Sequence, residues 1–278
     1  TACQLQTICD EPFADSSLLA TTLLARAARS NIVVALGGDG GDELFGGYRR
    51  HRAAYAPSHV MLGRLASLIP RSVAGRWPLG RLSFAEAADR LSLANRREYR
   101  RLRATQGDAL SMMLHQATAD PWHGDLPLHP DVREMMRADF QTYLPDDPLT
   151  KVDRGSMAVA LEVRSPMLDP TIIDHAFRWP TNGLFDASGG RAPLRHLLAR
   201  HSMSTQSVKQ GFAVPLFDWL RGPLNEWATD LMLSPADDVL DQRAVSALWR
   251  QLLRGRRDRA TSVWTILCLR SWTQSRAQ

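Results

Sequence analysis

Apolar residues recur at helical spacing through LLATTLLARAARS, residues 18–30, and Ser16 or Ser17 can cap that helix. Asn31 breaks the pattern. Ile32, Val33, Val34, Ala35 and Leu36 then form a short continuous apolar run, which predicts a strand buried on both faces of a parallel sheet. The run ends in GGDGGDE, and helical spacing resumes in ELFGGYRRHRAAY. Strand, Gly-rich loop and helix in that order form the core unit of a doubly wound α/β domain.

From about residue 58 onward the pattern is helical. Segments 58–69, 84–105, 108–118 and 131–144 carry it, with Pro57, Pro70, Pro78, Pro121 and Pro127 between them. Residues 147–163 predict a further helix, and 170–178 and 193–200 predict shorter ones. The stretch SVKQGFAVP reads as a loop, and helices at 223–233, 241–254 and 260–274 follow. No second run matches 32–36, and there is no internal repeat, low-complexity tract or Gly/Ser linker. The expected architecture is α/β with a partial parallel sheet. Residues 1–57 hold the sheet-containing segment and 58–278 are mainly helical.

The chain has 278 residues, 44% hydrophobic and 23% charged, an ordinary globular composition long enough to build a large core. No apolar run reaches the ~18 residues of a spanning helix, so no membrane role is expected. The start, TACQLQTICDEPF, lacks the basic and apolar regions of a signal peptide. Thr1 and the abrupt entry into patterned sequence suggest a piece of a longer chain. The net charge of +5 and pI near 9.5 come from scattered arginines. No basic run is long and none is interleaved with aromatics, which argues against nucleic acid as a partner. Cys3, Cys9 and Cys268 show no CxxC spacing, so neither a disulfide framework nor a zinc site is expected, and a reducing cytoplasmic setting is. The eight histidines form no HxxxH or HExxH pair and are read as surface or capping residues.

Four stretches carry candidate chemistry. In Leu36-Gly37-Gly38-Asp39-Gly40-Gly41-Asp42-Glu43, the glycines let backbone approach a ligand at a strand's carboxyl end and a helix N-terminus, where anions bind. Three carboxylates beside a phosphate make sense if Mg²⁺ bridges them. The plainer reading is a Gly-rich turn whose acids favour the helix dipole. In DPLTKVDRGSMAVALEVRSPMLD, Lys151, Asp153 and Arg154 could hold an anionic substrate, with Asp147 one turn before Lys151, or simply pair on a helix surface. Glu162 and Arg164, before Pro166, are read as a buried structural neighbourhood. Lys209, in SVKQGFAVP, is one of only two lysines and could place a cation over a phosphate from a mobile loop, or be an exposed loop lysine. Asp15 or Ser16 either caps the first helix or shapes an acceptor pocket.

In this order, DEPFADSS, VALGGDGGDELFGGYRR, LPDDPLTKVDRGSMAVALEVRSPMLD, KQGFAVPLFDWLRGPL and the Trp-containing terminal helices resemble the synthetase domain of glutamine-hydrolysing asparagine synthetases. The resemblance covers essentially the whole chain. It implies an adenine-nucleotide α-hydrolase-like fold. It also implies ATP-dependent conversion of aspartate to asparagine through β-aspartyl-AMP, with ammonia from glutamine, and allows a homodimer. On the matching positions, Gly37 and Gly38 lie against ATP, Asp39 acts in adenylate formation and the ammonia step, Asp42 binds Mg²⁺-pyrophosphate, and Lys209 stabilises the adenylation transition state. Asp15, Lys151 and Arg154 are the weaker substrate-binding candidates.

Several features depart from the family pattern. Gly37 replaces the usual serine, Asp39 replaces a common glutamate, and Gly189-Gly190-Arg191-Ala192-Pro193 lacks the usual Lys and aromatic. The SGGxDS pyrophosphate loop and the glutaminase domain are missing from these residues. The chain is therefore expected to turn over little or nothing as it stands. A related adenylating ligase with another carboxylate acceptor, or a non-catalytic remnant, are the alternatives.

Overall fold

The computed structural model describes residues 8–55, 78–79, 82–83, 131–201, 203, 214–234 and 239–276. It is mostly helical, with a small parallel sheet, in keeping with an α/β chain. Helix α1 (Ser17–Arg29) forms where the spacing predicts it. Ser16 occupies its N-cap position without a side-chain bond. Asp15 does that work instead: its Oδ1 accepts from the Ser17 N–H at 2.8 Å and its Oδ2 from the Ser17 hydroxyl at 2.7 Å.

Strand β1 (Val34–Leu36) follows, then α2 (Gly41–Leu44) and α3 (Arg49–Tyr55). The helix expected across 43–55 is thus two helices, broken at Gly46 and Gly47, where Gly46 takes a φ of 67°. A short antiparallel pair, β2 (Pro78–Leu79) with β3 (Leu82–Ser83), comes next. The helices expected at 58–69, 84–105 and 108–118 lie outside the described residues.

Helix α4 (Val132–Ala138) begins with a full capping box, in which Asp131 and Glu134 bond each other's backbone N–H groups. Two wide π-helical turns, Asp139–Tyr143 and Pro145–Leu149, continue it directly into α5 (Thr150–Met157). Pro145 and Pro148 cannot donate to an α-helical ladder, which fits the widened turns.

Three sequence expectations fail here. The helix predicted to run to 163 stops at Met157, and Glu162–Arg164 form strand β4, parallel to β1 with Ala35 opposite Val163. The sheet therefore draws on both halves of the chain. Glu162 and Arg164 are not buried either; they pair with each other at 2.7 Å on the surface. The apolar run of β1, expected to be covered on both faces, is open, with Val33 61% and Leu36 74% exposed. A parallel sheet requires helices on both faces. The described helices leave β1 without that cover.

After the sheet come α6 (Pro170–Arg178), α7 (Ala192–Arg200), α8 (Leu216–Arg221), α9 (Asn225–Met232), α10 (Gln242–Leu253) and α11 (Ala260–Arg276). Two apolar cores hold these pieces. In one, Val245, Leu248, Trp249 and Leu252 face inward from α10 at helical spacing and meet Val263, Ile266 and Leu267 of α11. Phe13 and Leu18 join them, so the entry to α1 is anchored on the terminal helices. Buried Arg270 donates to the carbonyls of Leu231 and Met232 and to Gln242 Oε1, closing the end of α9. In the other core, Leu44 and Phe45 pack on Val132, Met136, Ala176 and Leu184. Each fully buried Leu or Met contributes about 1.5–3 kcal/mol through removal of apolar surface from water. This second core fixes the Gly-rich loop against α4.

Candidate active site

The loop leaves β1 with the Gly37 N–H donating to the Arg164 carbonyl at 2.8 Å, so β4 holds its first residue. A Cβ on Gly37 would lie 2.7 Å from Asp39 Oδ2 and 3.3 Å from Val163. The carboxylate of Asp39 thus folds back over the space that a serine would fill. A Cβ on Gly38 would meet nothing within 4 Å, leaving the backbone there open to a ligand. Ser165 Oγ reaches Asp39 Oδ2 at 3.5 Å. Burial raises the Asp39 carboxyl above the ordinary carboxylate range, partly offset by its own backbone N–H, the Lys151 charge and Ser165.

Asp42 opens α2 beside Arg191, whose Nη1 is 3.4 Å from Asp42 Oδ1. Arg191 caps α7 in the left-handed region, at φ 64°, and its N–H donates to the Phe45 carbonyl at 2.8 Å. Gly47 lies against the other side of Asp42: a Cβ there would sit 1.9 Å from Oδ1 and 2.9 Å from the Asp42 Cα. Gly47→Ala is therefore expected to move Asp42 and destabilise the chain by about 1–3 kcal/mol, the usual cost of overpacking, read as a lowered denaturant midpoint. Among the described residues, no three His, Cys, Asp or Glu side chains converge as metal ligands. Asp42 by itself is a hard oxygen donor of the kind Mg²⁺ takes when phosphate oxygens and water complete its shell.

Glu43 points inward and is buried. Its Oε1 accepts from the Tyr48 hydroxyl at 2.5 Å. Burial raises the Glu43 carboxyl, and it raises the Tyr48 phenol further, helped by the Glu43 charge. Tyr48 packs edge-on against His51 and Tyr143, with the Arg50 guanidinium 3.9 Å from its ring centre. His51 and Asp139 are fully buried, and Asp139 Oδ2 lies 2.7 Å from His51 Nε2 and 2.9 Å from Arg50 Nε. This network ties the Gly-loop helix to the π-helical turns. Sequence reasoning assigned His51 to surface or capping duty, which its complete burial corrects. The only available signal was an acid and a histidine 88 residues apart, with nothing to pair them.

Two of the three substrate candidates come together. Lys151 Nζ is 2.6 Å from Asp15 Oδ2 and 3.6 Å from Asp147 Oδ1. Arg154 turns away to pair with Asp10 and Asp153 on the surface. Lys209 lies outside the described residues. The described arrangement sets two loop carboxylates, Asp39 and Asp42, at the carboxyl end of a strand, with Arg191, the residue before α7, beside Asp42.

The family model for asparagine synthase matches residues 3–274. The chain belongs to the asparagine synthase family. Among relatives of this synthase-family chain, a Mycobacterium tuberculosis protein provisionally named asparagine synthetase (glutamine-hydrolyzing) is 31% identical over 95% of this chain and 42% of its own length. Asparagine synthetase (glutamine-hydrolyzing) 1 of Bacillus subtilis is 28% identical over 95% of this chain and 44% of its own length. A Methanocaldococcus jannaschii protein, provisionally named in the same way, is 36% identical over 99 residues. The chain thus spans less than half the length of the first two, 42% and 44%. Among the described residues, no helix is long and apolar enough to cross a membrane.

Proposed function

We propose that this chain supplies the ligase chemistry of an ATP-dependent aspartate amidation that yields asparagine. It works within a cytoplasmic protein that obtains ammonia from glutamine in another domain. The carrying observation is the loop after β1, where Asp39 and Asp42 stand at the carboxyl end of a parallel strand, the position at which open α/β sheets bind ligands. The proposed fold is the adenine-nucleotide α-hydrolase type. Its nucleotide segment is residues 1–57, further strands extend the sheet, and helices cover the open faces of β1.

In this reading the open backbone at Gly38, with Gly37, lies against ATP. An aspartate side-chain carboxylate oxygen attacks the α-phosphorus, the α–β phosphoanhydride bond breaks, and pyrophosphate leaves. Ammonia then adds to the acyl carbon of β-aspartyl-AMP, loses a proton, and AMP departs. Asp39 accepts that proton. Asp42 would hold Mg²⁺, which supplies charge neutralisation for the pyrophosphate. Lys209 offsets the charge that builds on the α-phosphate. The shorter reach of Asp39, where the resemblance implies a common glutamate, favours a second reading in which the acceptor is a different carboxylic acid.

Pyrophosphate release by the full-length protein, measured across aspartate and other carboxylic acids, separates the two readings. Aspartate-dependent release supports asparagine synthesis; release with another acid but not aspartate replaces it with the second. Lys209→Ala is expected to lower release by roughly 10²–10³-fold, the loss typical of one transition-state charge donor, while leaving the melting temperature unchanged.

A further inference from the structure

Gly37 has no backbone reason to be a glycine. Its φ lies outside the left-handed region, whereas Gly40 and Gly46 lie inside it. Its N–H is fixed on the Arg164 carbonyl at 2.8 Å, one residue past the Leu36–Arg164 register pair. What the glycine provides is space, and two groups border that space. Asp39 Oδ2 stands 2.7 Å from where a Cβ would be, and Val163 Cγ1 stands 3.3 Å from it. The valine methyl could give by a few tenths of an ångström, but an oxygen at 2.7 Å has to leave. The space at residue 37 belongs to the Asp39 carboxylate.

The same oxygen meets a hydroxyl from β4. Ser165 directly follows that strand, and its Oγ is 3.5 Å from Asp39 Oδ2. The backbone of Asp39 is held as well. The Gly41 N–H donates to the Gly38 carbonyl at 3.2 Å, which closes a tight turn over residues 38–41. Gly40 takes the positive φ that the third position of such a turn can require, 88°, and an added Cβ there would run into the Leu168 side chain. Main chain and carboxylate are thus fixed by different neighbours, and the neighbours of the carboxylate are Gly37 and Ser165.

We propose that Gly37 and Ser165 are positioning residues for Asp39: the clearance at one and the hydroxyl of the other receive Oδ2, and so set where the carboxylate stands when the attacking nitrogen gives up its proton. This deepens the proposed function and rests on it for the role of Asp39. In that step the N–H bond breaks, its electron pair stays on nitrogen, and an O–H bond forms on the carboxylate. Misplacing a reacting group by about 1 Å can cost roughly 10²-fold in rate. Gly37→Ala is therefore expected to lower kcat for amide formation by roughly 10²-fold, with KM for ATP changed less than about twofold. Ser165→Ala removes one long hydrogen bond and is expected to lower kcat about two- to tenfold.

A double-mutant cycle on the full-length protein separates positioning from any other effect. Asp39→Ala removes the group that the new methyl would displace. In that background Gly37→Ala and Ser165→Ala are each expected to lower the residual rate by less than about twofold. Equal losses with and without Asp39 overturn the proposal, because the two residues then act on something else. Full product formation by Gly37→Ala overturns it too. A crystal structure of the Gly37→Ala protein reads the contact without turnover. Asp39 Oδ2 is expected 3.4 Å or more from the new methyl, with the residue-37 N–H still on the Arg164 carbonyl. A carboxylate that keeps its place while residue 37 leaves β4 overturns the proposal. A displaced carboxylate in a protein whose wild type forms no amide with any acid confirms the contact and overturns the functional reading instead.

Discussion

Asp139→Ala is expected to cost about 3–5 kcal/mol of folding stability, the penalty for breaking a buried charge pair from one side. Asp139 and His51 are both fully buried, and Arg50 is largely so. Burial alone would raise the Asp139 carboxyl, but the His51 hydrogen bond and the Arg50 charge outweigh it and hold the group below its ordinary range. Burial also pushes the His51 imidazole down, more than Asp139 pulls it up, so His51 is neutral and donates from Nε2. Removing the carboxylate takes this acceptor from both the ring and the guanidinium inside the fold. Asp139→Asn keeps one acceptor oxygen but not the charge, and should lose less.

The pH dependence follows from both groups in one direction. A depressed His51 contributes stability that is present above about 6.5 and declines as pH falls below it. A depressed Asp139 contributes stability that is lost only at more acid pH, below the carboxylate range. Urea unfolding of the wild type and both variants at pH 5 and 8 checks this. The wild type should weaken at pH 5, and the gap to Asp139→Ala should widen, because the variant lacks the carboxylate that pulls the buried His51 imidazole up. A gap under 1 kcal/mol at pH 8 would show that the network is not what secures α3 to the π-helical turns.

The helices were legible where one face repeats at 3.6 residues and a cap is local. Asp241 accepts from the Arg243 N–H and begins α10, whose inward stripe is plain in the sequence. Asp169 likewise begins α6. Strand β4 was not legible because Glu162-Val163-Arg164 alternates for only three residues and follows a helix without a Gly or Pro boundary. Its partner β1 is far away in the chain, and nothing local in β4 encodes that pairing. The apolar run at 32–36 marks strand β1, but the cover it predicts on both faces is not met among the described residues. Of the site, the loop acids were legible from their glycines. The Lys151–Asp15 bond joins residues 136 apart, so the sequence offered the two groups without their meeting.

Asp39→Asn is expected to reduce amide formation by roughly 10²–10⁴-fold, the range for losing a positioned general base. Geometry makes this a clean substitution. Among the described residues, the side chain that the Asp39 carboxyl meets is Ser165, at a long 3.5 Å, and the carboxyl closes over Gly37, so an amide of nearly equal size leaves the loop in place. Stability should therefore change by no more than about 0.5 kcal/mol. Burial raises the Asp39 carboxyl, which makes it a stronger proton acceptor than an exposed aspartate, and the Lys151 charge offsets part of that rise. The step at which activity falls distinguishes its role. If Asp39 takes the proton from the attacking amine, acceptor-dependent ATP–pyrophosphate exchange should persist in the full-length Asp39→Asn protein while amide product disappears. Loss of exchange as well would place Asp39 in adenylation, alongside Lys209. Full product formation with a folded variant would remove Asp39 from the chemistry, and would leave Asp42 as the loop carboxylate with a part in the reaction.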